Sequence, residues 1–159
     1  LLTQHWPTKG YPMREITSET GIQYVHHENV FQEFNREQLI PQMNSTEGPA
    51  LAIGDVNQDH LEDIYIGAAR GFTGGLFLQQ ANGKFVKSIQ PAFQLDSNYE
   101  DVDAVFCDVN KDGKIDLVVG SGGNEYYGKD VNMLSRVYLN NGKGLFSKLE
   151  NAFIAKSSI

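Results

Sequence analysis

Two thirteen-residue stretches, 53 positions apart, carry one acidic spacing: DVNQDHLEDIYIG at 55–67 and DVNKDGKIDLVVG at 108–120. Asp55, Val56, Asn57, Asp59, Asp63 and Gly67 recur as Asp108, Val109, Asn110, Asp112, Asp116 and Gly120. Solvation alone readily produces one acidic surface run. It does not reproduce the same spacing twice, so the chain is built from copies of one supersecondary unit.

Counted from the first aspartate, oxygen-bearing side chains stand at positions 1, 3, 5 and 9 of each loop. Carboxylates at alternate residues repel one another unless a cation lies among them. Calcium takes about six to eight oxygen ligands from carboxylates, amides, main-chain carbonyls and water. The first loop offers Asp55, Asn57, Asp59 and Asp63, and the second Asp108, Asn110, Asp112 and Asp116. Position 7, Leu61 or Lys114, contributes its main-chain carbonyl. No histidine or second cysteine accompanies the second loop, which disfavours zinc by ligand type. Position 6 is Gly113 in the second copy, suited to a sharp turn, but His60 in the first. Histidine enters left-handed backbone less readily than glycine. Two calcium sites are expected, the 108–116 loop the stronger.

An EF-hand does not fit. That loop needs a glutamate at position 12 and flanking helices; position 12 of the second copy is Val119. Ala104–Cys107 before the loop and Leu117–Val119 after it read as strands. Further on, residues 76–85 (LFLQQANGKF) resemble 137–146 (VYLNNGKGLF): an apolar run, an Asn-Gly, then an aromatic. Asn-Gly between apolar segments is a strong hairpin signal. Each copy therefore reads strand, metal loop, strand, connection, strand, turn, strand. The fold class expected is all-β, with two four-stranded antiparallel propeller-type blades and an irregular N-terminal segment.

ALAIGDVNQDHLEDIYIG and AVFCDVNKDGKIDLVVG, each followed by an apolar strand and an Asn-Gly, resemble the FG-GAP/VCBS repeats. These are calcium-loop blades of integrin α-subunit heads and of many bacterial extracellular proteins. Both copies keep the ligands at positions 1, 3, 5 and 9; His60 departs from the pattern, and Cys107 stands where the first copy has Gly54. Residues 15–54 are similar to the lead-in of bacterial VCBS-repeat proteins of the ASPIC/UnbV-associated kind. The resemblance implies an exported or cell-surface propeller with calcium-stabilised blades. It divides the chain into a lead-in at 1–49, repeats at 50–100 and 101–153, and a tail at 154–159.

Net charge is −7, and six of the twenty acidic residues are loop aspartates. Two divalent cations would bring it to −3. An acidic chain without a basic stripe argues against nucleic acid, and no apolar run is long enough to span a membrane. A chain starting at Leu1 is expected to be processed or cut from a longer protein. Cys107 has no second cysteine to pair with, and its apolar strand suggests a buried small hydrophobe. Propellers typically close with about four to eight blades. Two blades leave sheet edges to be covered by further repeats, by self-association or by the first 49 residues. Residues 21–26 are a candidate strand and 28–40 a short helix or irregular cover on the first blade.

The remaining candidates carry less. His26 and His27 point to opposite faces of a strand and chelate poorly. Glu100, Asp101 and Asp103 suit either a metal or solvent. Tyr126 and Tyr127, with Asn124 and Glu125, offer either a sugar-stacking platform or a loop packed on its neighbour. No nucleophile elbow or paired-acid cleft can be read. The chain is therefore expected to be non-catalytic, binding an extracellular protein or glycan in adhesion. The alternative is the structural propeller of a larger secreted polysaccharide-active enzyme whose catalytic residues lie elsewhere.

Overall fold

The structure, a computed structural model, describes residues 14–41, 48–123, 125–126 and 129–152. Among the described residues, eight strands make two four-stranded antiparallel sheets, each in chain order. The first holds β1 (Leu51–Gly54), β2 (Asp63–Ile66), β3 (Gly75–Gln79) and β4 (Phe85–Ser88). The second holds β5 (Asp101–Cys107), β6 (Asp116–Ser121), β7 (Arg136–Asn140) and β8 (Phe146–Lys148). The fold is all-β with blade-like sheets, as expected. Each acidic loop is the first connection of its sheet. Gly54 faces Asp63 across the first ladder and Cys107 faces Asp116 across the second, so each loop is clamped where it leaves and re-enters the sheet.

Alternation along the strands supplies the core. Ala52, Tyr65, Leu76, Leu117, Val119, Tyr138 and Phe146 are buried in one cluster between the sheets. Its centre comes from the connection. A short helix, α2 (Pro91–Leu95), follows the first sheet, where no helix was expected. Pro91 opens it, at a position where the missing N–H costs nothing. The Phe93 ring meets Tyr65 and Tyr138 edge-on, with centroids 5.4 and 5.0 Å away, and lies 5.9 Å from Phe146. Just before the helix, buried Gln90 donates to the Gly144 carbonyl at 2.6 Å and accepts from the Phe146 N–H at 3.0 Å. The connector thus joins the outer hairpin of the second sheet to the edge of the first.

Polar groups complete the junction. Asp101 accepts from the Tyr65 hydroxyl at 2.8 Å and the Ala68 N–H at 2.9 Å, and its other oxygen holds the Arg136 guanidinium. Asp101 is therefore neither solvated nor free for a metal: it is the buried partner of an arginine. Tyr138 donates to Asp96 at 2.6 Å, and Lys148 reaches the same carboxylate at 2.7 Å.

The sheets are not equally covered. Val56 is 1% exposed, under Leu78 and Gly144; a Cβ at Gly144 would stand 3.3 Å from Val56. Its counterpart Val109 is 42% exposed. Phe106 of β5 lies on Gly54 of β1, on the face of β5 that meets the first sheet, and alternation turns Cys107 to the opposite face. Cys107, expected buried, is consequently exposed: its strand is apolar, but burial there would require a neighbouring sheet.

The lead-in differs from expectation too. Among its described residues, the regular elements are the four-residue α1 (Thr17–Thr20) and a 3-10 turn at Glu33–Asn35. Residues 21–26 form no strand. They lie on the first sheet through side chains: the Tyr24 hydroxyl donates to the Gly67 carbonyl at 2.6 Å and its ring stands edge-on to Phe77. The expected cover over 28–40 reaches past the first sheet. Asn29 donates to Glu125, and Arg36 to the Tyr126 carbonyl at 3.2 Å.

Candidate metal centre

The two acidic loops share a hydrogen-bond lattice atom for atom. In the first, Asp55 accepts from the N–H groups of Asp59 at 3.1 Å and His60 at 2.9 Å. The Asn57 amide oxygen accepts from Asp59 N–H at 3.1 Å, and Asp59 accepts from Leu61 N–H at 2.9 Å. Asp63 accepts from Val56 N–H at 3.0 Å and from Gln79 N–H on β3 at 2.8 Å. In the second, Asp108 accepts from Asp112 at 3.1 Å and Gly113 at 2.9 Å. Asn110 accepts from Asp112 at 2.9 Å, and Asp112 from Lys114 at 3.0 Å. Asp116 accepts from Val109 at 3.1 Å and from Asn140 on β7 at 2.9 Å.

The backbone repeats as well. Position 6 is left-handed in both loops, with φ of 67° at His60 and 80° at Gly113. So is position 4, with φ of 64° at Gln58 and 62° at Lys111. The glycine at 113 announces the first of these turns. Gln and Lys have no preference for the left-handed region, so nothing in the residue types announces the second.

Position 9 behaves unlike the others. Asp63 and Asp116 are fully buried, and each ties its loop to the third strand of its sheet. Burial pushes the Asp63 carboxyl above the usual range; the Gln79 and Val56 N–H groups pull it down, and the charges of Asp59 and Asp55 raise it again. The second loop carries its own positive charge. The Lys114 ammonium lies 3.0 Å from Asp112, and its side-chain and main-chain hydrogen bonds hold that carboxyl below the usual range.

Among the described residues, no three acidic, histidine or cysteine side chains converge as a ligand cluster. The loop carboxylates turn onto their own N–H groups instead. A carboxylate oxygen that accepts one N–H keeps a second lone pair, and the donors at positions 1, 3, 5 and 9 are all oxygen. By donor chemistry the loops therefore suit a hard cation. Leu61 and Lys114 stand at position 7 of matching turns.

The other candidates are engaged in the fold. The Tyr126 hydroxyl donates to the Asn98 carbonyl at 2.7 Å, and the Arg70 guanidinium lies 4.7 Å from its ring centroid. That face is packed on the arginine. Tyr127 and Asn124 lie outside the described residues. His26 pairs with Glu28 at 2.5 Å, and His27 stacks on Phe72 at 5.4 Å; the two side chains take separate partners.

Residues 55–119 match the family model of the FG-GAP-like repeat. The stretch is similar to an FG-GAP-like repeat. The match begins on the first aspartate of the first loop, crosses α2 and ends in β6, after the second loop. The matched residues thus hold both acidic loops and the junction between the sheets. No curated protein matches the chain. No helix among the described residues is long and apolar enough to cross a membrane.

Proposed function

We propose that the chain is a non-catalytic, calcium-binding pair of propeller blades from an exported or cell-surface protein, serving adhesion to a protein or glycan. One observation carries the reading: two loops of different sequence adopt the same left-handed turns and hydrogen bonds, even where His60 replaces glycine. A merely solvated loop has no reason to keep a strained histidine in the conformation of Gly113.

Asp55, Asn57, Asp59, Asp63 and the Leu61 carbonyl would hold one ion; Asp108, Asn110, Asp112, Asp116 and the Lys114 carbonyl the other. The ion's contribution is positive charge among carboxylates that otherwise repel. The chain's residues do the rest. Asp63 and Asp116 fix the end of each loop to its sheet, and the N–H groups of positions 5 to 7 orient the remaining carboxylates. Extracellular modules work with calcium sites of about 10⁻⁴–10⁻³ M, which suits exposed loops of this kind. The buried charges favour a scaffold role, since Asp101, Arg136 and Asp96 hold the sheets together.

Thermal melting of the chain in chelator, in calcium and in magnesium tests the reading. A ligand at about a hundredfold excess over Kd stabilises the native state by about 2.7 kcal/mol. A calcium-specific rise in Tm is expected, and identical melting in all three conditions would sink the proposal.

A further inference from the structure

We infer that Asn140 couples the two ion loops, so that filling one raises the affinity of the other. The inference rests on the calcium reading above and concerns how the two sites communicate.

Asn140 ends β7 and is buried. Its main-chain N–H donates to Asp116, position 9 of the second loop, at 2.9 Å. Its side-chain amide donates to the Ile115 carbonyl of that loop at 2.9 Å and to the Val56 carbonyl of the first loop at 2.6 Å. Val56 in turn donates its N–H to Asp63, position 9 of the first loop, at 3.0 Å. The buried aspartates of the two loops are therefore joined through two residues, Asn140 and Val56. The corresponding residue of the first sheet, Gln79, also donates its N–H to its position 9 aspartate. Its side chain, however, accepts from Glu62 at 3.1 Å and stays within its own loop. The bridge is thus specific to the junction of the two sheets. Outside the core, the Gln58 side chain reaches the Gly113 carbonyl at 3.3 Å, a second and exposed link.

The sign follows from ordering. A cation that immobilises Asp116 immobilises Asn140, and with it the Val56 peptide on which Asp63 depends. The second ion then meets a loop already partly ordered, and less conformational freedom remains to be lost. Linkage makes the effect reciprocal: each loop must alter the other's affinity by the same factor.

The test is calorimetric calcium titration of the whole chain and of Asp59→Ala and Asp112→Ala, each leaving one intact loop, with and without Asn140→Ala. Asn140→Ala retains the main-chain bond to Asp116, so the second loop keeps its attachment to β7. Each loop is expected to bind about fivefold more tightly in the intact chain than alone, the lower end of common coupling. Asn140→Ala should reduce that factor to about one, each loop binding equally in the intact chain and in the single-loop variants that also carry Asn140→Ala; the lost Ile115 bond enters both sides of that comparison and cancels, whereas a merely structural residue would leave the factor unchanged. Two independent sites in the intact chain would overturn the coupling and leave the calcium reading standing. Cooperativity that survives Asn140→Ala would overturn the assignment to Asn140. Absence of calcium binding would overturn both readings. A second measurement avoids substituting Asn140: in Asp59→Ala, filling the second loop should slow hydrogen exchange at the Val56 amide, and unchanged exchange would also overturn the inference.

Discussion

The Tyr65 hydroxyl of the first sheet donates to the Asp101 carboxylate of the second at 2.8 Å, and both residues are buried. The other Asp101 oxygen faces Arg136, also buried. Removing one partner of a buried ion pair leaves an uncompensated charge and costs about 3–5 kcal/mol, whereas a neutral hydroxyl donor contributes about 1 kcal/mol. Asp101→Asn should therefore destabilise far more than Tyr65→Phe. The two changes should not add, because they share one carboxylate. Urea unfolding of both single variants and the double variant measures this; equal single effects would mean that the arginine is screened by solvent.

Phe93 is the apolar counterpart of that junction. It belongs to a five-residue helix with little stability of its own, so docking depends on the ring among Tyr65, Tyr138 and Phe146. Phe93→Ala should cost about 3–5 kcal/mol. It should also weaken cooperativity, because the ring belongs to neither sheet and touches both. Unfolding followed separately by fluorescence and circular dichroism should give coincident curves for the native chain and separated ones for the variant.

The parts of this fold that were legible in the sequence are those whose signal is local. The acidic spacing, the aliphatic strands after it and the Asn-Gly turns each lie within a dozen residues, and each marked its element. What was missed depends on distant partners. Asp101 reads as a surface or metal-facing acid because its arginine lies 35 positions away, across β6. Cys107 reads as buried because its strand is apolar, yet a strand's exposure is set by the neighbouring sheet. Tyr24 sits in a run that looks like a strand, but it is held by one hydroxyl and one ring contact rather than by a ladder. The connector did carry a signal: Pro91 before an apolar residue is a helix start, though five residues are too few to show a period. The loops' left-handed position 4 left no trace in residue type.

His60 takes the backbone conformation that Gly113 takes in the second loop, with φ of 67°. Left-handed backbone costs an ordinary residue about 1–2 kcal/mol. Glycine relieves that strain but adds roughly 0.5–1 kcal/mol of unfolded-state entropy to be lost. The relief outweighs the entropy, so His60→Gly should stabilise the ion-free chain by about 0.5–1 kcal/mol. Gly113→Ala should destabilise it by a similar amount. Urea midpoints in chelator give both values; a neutral or destabilising His60→Gly would mean that the turn carries little strain.

Glu100 lies just before β5, buried, with the backbone of Gly123 against its carboxyl. Burial pushes its pKa from 4.5 to about 7, and the negative charges of Glu125, Glu28, Asp101 and Glu33 add to the rise. A carboxyl whose pKa is raised by folding holds its proton more tightly in the folded state. Its contribution to stability is therefore fully present below about pH 4.5 and is lost as pH rises through about 7. Glu100→Gln keeps the shape and removes the titration. Relative to the native chain, the variant should gain on the order of 2–3 kcal/mol between pH 4.5 and pH 8, with solvent screening allowed for. Below that window the difference should stay constant. The lead-in should respond as well, because Glu28 and Glu33 sit on it: limited proteolysis within residues 21–41 should accelerate above pH 7 in the native chain and not in Glu100→Gln. A stability difference independent of pH would show that Glu100 is already ionised at pH 5 and that solvent reaches it.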